Sequence, residues 1–135
     1  ILVTKTLYIK NTDSNNFIIV DAAMNDFIRP TLYNAYHQIV SVKEDKKDNI
    51  LEYDIVGPVC ESGDFFRKNI EMGSIEEGDL LAIKSVGAYG SVLSSNYNTR
   101  PSINEILVNN DQFEIIRDRV EVEEIIRRDK IPDWI

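Results

Sequence analysis

The sequence predicts a mainly β fold, an antiparallel barrel or sandwich with only short helices. Three observations point there. Short runs rich in β-branched and aromatic residues recur along the chain. Polar turns, many with glycine or proline, separate them. Strands nowhere alternate with long helical stretches, which counts against a Rossmann or TIM architecture within these residues. With 135 residues the chain has enough length for one core and too little for two ordinary domains, so residues 1–135 read as a single β domain.

Taken in order, residues 2–10 (LVTKTLYIK) and 17–20 (FIIV) predict a hairpin around the polar turn 11–16. Asp21 to Asp26 breaks that pattern, and Asn25 or Asp26 is expected to cap a short helix through about Ala35. Phe27, Leu32, Ala35 and Tyr36 would lie on or near one side of it, and Pro30 fits its first turn. A strand across Gln38 to Lys43 leads into a charged loop from Glu44 to Asn49, read as a solvated excursion. Residues 50–56 predict a strand that stops at Gly57-Pro58. Ser74 and Glu77 resemble a capping box, but Gly73 and Gly78 favour a turn. Leu80 to Ser85 reads as a strand ending at Gly87-Ala88-Tyr89-Gly90. Beyond the polar run Ser94 to Arg100, residues 105–108 and 113–117 predict a hairpin around Asn109-Asn110-Asp111. The last segment reads as a helix with a weak stripe of Val122, Ile125 and Ile126. In it Glu123 and Arg127, like Glu124 and Arg128, stand four apart. Trp134, in the apolar ending, reads as packing.

Composition narrows the function classes. A formal charge of −8 argues against nucleic acid or an anionic membrane as partner, since both would repel the chain. One cysteine cannot form an internal disulfide, so a reducing, cytoplasmic setting is expected. No stretch has the length of a membrane span or the pattern of a signal peptide. The chain starts at Ile1 rather than a methionine, which suggests a fragment or a processed product.

Cys60 lies in Gly57-Pro58-Val59-Cys60-Glu61-Ser62-Gly63-Asp64. Two readings stay open for it, a small buried hydrophobe or a proton donor or nucleophile. Glu61 adds negative charge beside the thiol, which suits an acid better than a nucleophile. Arg29 and Tyr33 stand four apart on the short helix and point in one direction. A guanidinium fork with a phenol beside it is a receptor for a carboxylate. The alternative is a packed tyrosine and a surface arginine paired with Asp26 or another acid. Tyr89 sits between glycines that allow close approach to the backbone, and its hydroxyl can donate to a phosphate or carboxylate. It does not belong to a P-loop, because the glycine series and the terminal Lys-Ser/Thr are missing. His37 stands alone with no companion ligands at metal-site spacing, so no metal is expected.

Four blocks carry a resemblance: residues 20–33 (VDAAMNDFIRPTLY), 57–64 (GPVCESGD), 87–90 (GAYG) and 95–101 (SNYNTRP). In this order and spacing they resemble the C-terminal domain of diaminopimelate decarboxylases, over essentially the whole chain. The wider group includes ornithine, arginine and carboxynorspermidine decarboxylases and shares its two-domain plan with alanine racemase. The resemblance implies a Greek-key-like β domain joined to an N-terminal (β/α)8 barrel that binds pyridoxal 5'-phosphate. It also implies a homodimer with sites at the subunit interface. Arg29 and Tyr33 would then hold the distal carboxylate of meso-2,6-diaminopimelate, and Tyr89 would lie at the cofactor and contribute to its binding. Cys60 and Glu61 would be lent to the partner subunit's site. There Cys60 would be the candidate acid that reprotonates the α-carbon, and Glu61 would contact the distal amino group. The Schiff-base lysine belongs to the barrel in that family, and neither Lys84 nor any other lysine here replaces it by motif. Ala23 stands where a glycine is usual and Val86 where a small residue is usual; both add bulk without touching a proposed functional group. The alternatives are a decarboxylase of another basic amino acid and a non-catalytic, partner-binding β module.

Overall fold

The computed structural model describes residues 1–43 and 49–135, so most of the charged loop expected at Glu44 to Asn49 lies outside the described residues. Two compact units are present, Ile1–Ser94 and Ser95–Ile135.

The first unit is a six-stranded sheet in the order β3-β6-β1-β2-β4-β5. Its strands are β1 (Leu2–Asn11), β2 (Asn16–Val20), β3 (Ile39–Ser41), β4 (Leu51–Val56), β5 (Phe65–Met72) and β6 (Leu80–Ile83). β1 works in two ladders. Leu2 to Lys5 pair with β6, and Thr6 to Asn11 pair with β2 across a register shift between Thr6 and Tyr8. A strand that changes partner at an irregularity turns a sheet corner, which curves the sheet toward a barrel. All neighbours are antiparallel except β2 and β4, which run parallel with Ile18 opposite Ile55. The mainly β architecture expected from the sequence is therefore present.

The core follows from strand alternation. Leu2, Thr4 and Thr6 of β1 face inward while Val3, Lys5 and Leu7 face out. Ile18, Val20, Ile55, Phe66, Leu81 and Ile83 complete the buried centre. β5 was not foreseen. Its Phe66 and Met72 are buried, but Asn69 adopts φ 53° and interrupts the alternation between them. Asp54 Oδ1 accepts a hydrogen bond from the Asn69 N–H (2.9 Å), which satisfies the irregular position.

Between β2 and the first helix, three aspartates and a threonine replace the missing ladder bonds. Asp21 Oδ1 accepts from the Lys5 N–H (2.8 Å) and the Thr4 hydroxyl (2.6 Å), and Thr4 Oγ1 accepts from the Ala22 N–H (3.0 Å). Asp26 Oδ2 accepts from the Ala23 N–H (2.9 Å), and Asp64 Oδ1 from the Met24 N–H (2.7 Å). The expectation that Asn25 or Asp26 caps the helix is corrected here. The cap residue is Ile28, without a side-chain cap bond, and the Asp26 carboxylate closes a turn on Ala23 and on the Asn25 amide instead. The helix, α1, is Arg29–Tyr33, with Pro30 in its first turn as expected and Asn34 left-handed at its end.

Gly57 to Asp64 is closed by the same carboxylate. Asp64 Oδ2 accepts from the Val59 N–H (2.7 Å), and the Gly57 N–H donates to the Asp64 carbonyl (3.0 Å). Asp64 is buried, and a Cβ on Gly57 would lie 2.6 Å from its Cγ. Position 57 must therefore be glycine while the carboxylate stays in place.

Gly87 to Gly90 is not a strand end. β6 stops at Ile83, and Ala88–Ser91 form a short helical turn, α2. The turn expected around Gly73 to Gly78 is present, with Gly78 at φ 92°.

The second unit holds a 3-10 turn at Tyr97–Thr99, the hairpin of β7 (Glu105–Asn109) with β8 (Gln112–Arg117), and α3 (Val122–Ile126). Asn110 is left-handed in the hairpin turn, as that geometry requires. Arg117 pairs with Glu105 across the hairpin (2.7 Å). The closing helix is shorter than expected. Arg127 caps it and Arg128 lies beyond it, so neither Glu-Arg pair stacks within a sustained helix. Trp134 is 83% exposed, so it does not pack among the described residues. Among the described residues no helix is long and apolar enough to cross a membrane.

Gly57→Ala is expected to destabilise the protein by about 1–3 kcal/mol, the usual range for overpacking a site that cannot yield. A lowered urea-unfolding midpoint would show it, whereas an unchanged midpoint would mean that Asp64 moves freely.

Candidate functional site

α1 presents two faces to its neighbours. At 3.6 residues per turn, Arg29 and Tyr33 project within about 40° of each other, while Thr31 projects about 200° away from both. On the first face the Arg29 guanidinium carbon lies 5.5 Å from the Tyr33 ring centre and 5.4 Å from that of Tyr89. Both distances are within cation–π range. The two phenols remain exposed, so the charged fork and two hydroxyls meet solvent together.

Tyr89 reaches Arg29 because Gly87 turns the chain. Gly87 has φ 57° and ψ −157°, a region open essentially to glycine alone. Gly90 is buried, and a Cβ there would collide with Val86 Cγ1 and touch the Phe27 ring at 3.9 Å. The bulk at Val86 is thus accommodated by the glycine that follows α2's tyrosine.

His37 holds the underlying layer. Its Nδ1 lies 3.0 Å from the Lys84 carbonyl oxygen, which only accepts, so Nδ1 carries the proton and donates. Its ring meets Phe27 edge-on at 4.6 Å. The segment after α1 is thereby tied to the segment leading to Tyr89, and the Lys84 N–H donates to the Gln38 carbonyl beside it (2.8 Å). The histidine is buried scaffolding. Among the described residues no group of three or more His, Cys, Asp or Glu side chains is placed to hold a metal.

On the second face, the Thr31 hydroxyl donates to the Gly63 carbonyl. The contact is close on both sides, since a Cβ on Gly63 would lie 2.8 Å from Thr31 Cγ2. This bond seats the Cys60 loop against α1. Cys60 is exposed, which removes the buried-hydrophobe reading and leaves its thiol accessible for chemistry. Glu61 is also exposed, and its Oε1 accepts from the Gly63 N–H (3.3 Å).

The structure thus brings Arg29, Tyr33 and Tyr89 together and seats Cys60 and Glu61 on a loop that docks on the opposite face of α1. Sequence reasoning assigned no part to Thr31, Asp64 or the His37–Phe27 pair. For Asp64 a signal was present, an acid directly before the apolar pair Phe65-Phe66 at a strand start. Such a carboxylate is buried with its strand and must find N–H donors.

Residues 1–87 match the family described as pyridoxal-dependent decarboxylase, C-terminal sheet domain. The chain is 42% identical over all 135 residues to a diaminopimelate decarboxylase of Zymomonas mobilis, of which it covers 32%. It is 50% identical over 125 residues, 93% of the chain, to a diaminopimelate decarboxylase of Pseudomonas fluorescens, of which it covers 30%. Among solved structures, the diaminopimelate decarboxylase of Helicobacter pylori complexed with L-lysine superposes with a TM-score of 0.85 at 44% identity, over 93% of this chain and 30% of that one. The chain therefore spans about a third of the length of these relatives. It belongs to the family of C-terminal sheet domains of pyridoxal-dependent decarboxylases.

Proposed function

We propose that this chain is the C-terminal domain of a cytoplasmic, homodimeric diaminopimelate decarboxylase, which converts meso-2,6-diaminopimelate to L-lysine and CO2. The observation that carries the reading is the Arg29 guanidinium held between the rings of Tyr33 and Tyr89. A fork of fixed N–H donors flanked by two hydroxyls suits a carboxylate, and this substrate, unlike ornithine, has one at its far end. The relatives above carry that activity in their names, and the Helicobacter pylori structure contains L-lysine.

In this reading Arg29 takes the distal carboxylate through paired N–H···O bonds, and the Tyr33 hydroxyl adds one more. Both serve the site of their own subunit. Glu61, lent to the partner subunit's site, accepts from the distal ammonium there. Cys60 travels with it and gives its thiol proton to the α-carbon after the C–C bond has broken and CO2 has left, itself remaining as the thiolate. Pyridoxal phosphate, held by the N-terminal barrel, supplies the electron sink for that carbon when bound. On this domain the exposed phenol of Tyr89, set beside a cation, fits a contact to that anionic cofactor. Cys60 on its exposed loop is accessible to a second subunit, and its neighbour Glu61 places an anion beside the acid.

The decisive experiment joins this chain to its barrel portion and measures CO2 release from meso-2,6-diaminopimelate with pyridoxal phosphate. Cys60→Ala is expected to lower kcat by about 10²–10⁴-fold, the usual worth of a positioned general acid. Full retention of kcat would remove Cys60 as the acid. Arg29→Gln is expected to lower kcat/KM by roughly 10- to 150-fold, through the loss of about 1.5–3 kcal/mol of charged hydrogen bonding. An unchanged preference for diaminopimelate over ornithine in that variant would refute the carboxylate receptor. The chain by itself is expected neither to release CO2 nor to bind pyridoxal phosphate tightly; turnover by the pure 135-residue polypeptide would contradict the division of labour.

A further inference from the structure

We infer that Asp64 and Thr31 are positioning residues that couple the two active sites of the dimer, because each subunit braces its Arg29 and its Cys60 against one another. The inference rests on the proposed function, in which Arg29 serves its own subunit's site while Cys60 is lent to the partner's.

Asp64 is 4% exposed, and its two oxygens are divided between the two structures that carry those residues. Oδ1 accepts from the Met24 N–H at 2.7 Å, in the turn that runs through Phe27 and Ile28 into Arg29. Oδ2 accepts from the Val59 N–H, also at 2.7 Å, one residue before Cys60. Both bonds are short and charge-assisted, and both are lost if the carboxylate withdraws. Gly57 lets it approach this closely.

Thr31 forms the second brace. Its hydroxyl bonds to the Gly63 carbonyl on the face of α1 opposite Arg29 and Tyr33. Arg29 precedes Thr31 by two residues and Cys60 precedes Gly63 by three, so the backbone carrying either one is held by this contact. The covalent route between the two segments runs the long way, through β3 and β4. The short route consists of these side-chain bonds. A subunit that loses them misplaces Arg29 in one site and Cys60 in the other.

The test is complementation between differently tagged full-length subunits, each carrying the barrel. Arg29→Ala paired with Cys60→Ala contains one site with both residues intact, so the mixed dimer should regain about half of wild-type activity while each variant homodimer stays low. Asp64→Asn keeps the side-chain volume but turns a donor toward one of the two N–H groups. Paired with Arg29→Ala or with Cys60→Ala it should leave no intact site, with activity about 10²-fold below wild type, the scale set by ångström misplacement. Restored activity in either Asp64→Asn pairing would overturn the coupling and leave the decarboxylase reading standing. Failure of the Arg29→Ala and Cys60→Ala pair to complement would overturn the placement of Cys60 in the partner's site, and the coupling with it. If Asp64→Asn does not assemble, the Thr31→Val homodimer decides. Loss of one hydroxyl should raise KM and lower kcat together, each by about two- to tenfold. A change confined to one constant, or to neither, would overturn the inference.

Discussion

The buried carboxylate of Asp64 is the constraint on which the site depends. Taken out of water, an ionised side chain is costly unless its oxygens receive hydrogen bonds, and here each receives a backbone N–H. The requirement works in both directions. Asp64 needs the Met24 and Val59 amides, and those amides, lying in irregular backbone, have no ladder partner of their own. Two stretches that cannot form regular structure are thus satisfied by one group, and satisfying both fixes their separation. Gly57 is a consequence, since any side chain there would displace the carboxylate.

The same logic extends back along the chain. Asp21, Thr4 and Asp26 receive or exchange the hydrogen bonds of Lys5, Ala22 and Ala23, so the passage from β2 to α1 is built from side-chain acceptors. Such a passage is hydrogen-bonded without being regular, and it leads directly into Arg29. The sheet supplies the foundation. β1 serves two ladders and turns the corner between them, bringing β6 and its continuation toward Tyr89 onto the side where α1 lies. Phe27, His37 and Gly90 fill the space beneath.

α1 is too short to be stable as an isolated helix, and its value lies in its two faces. Arg29 and Tyr33 are offered to Tyr89 on one, and Thr31 receives the Cys60 loop on the other. A single turn of helix therefore separates the Arg29, Tyr33 and Tyr89 cluster from the Cys60 thiol and the Glu61 carboxylate while holding them in one frame. This arrangement is what the proposed sharing of residues between two sites would require.

Local chemistry made much of this legible in the chain. β-Branched alternation in β1 and β2, the Gly-Pro stop after β4, Pro30 at the start of α1 and the Asn-rich turn of the second hairpin are all short-range preferences, and all were readable. Arg29 and Tyr33 on one helical side followed from spacing alone. β5 was not readable, because Asn69 breaks its alternation, and the break is supported by the Asp54 side chain from another strand. Asn25 and Asp26 have the composition of a helix cap, but the Asp26 carboxylate closes a turn on Ala23 and Asn25, while Asp64 takes the Met24 N–H. The exposure of Cys60, the convergence of Tyr89 on Arg29 and the burial of Asp64 each depend on residues far apart in sequence. The sequence by itself determined where strands, turns and candidate groups lie, since those follow from neighbours along the chain. Tertiary structure alone decided which groups meet, because a buried carboxylate takes whichever N–H donors the folded sheet brings within reach.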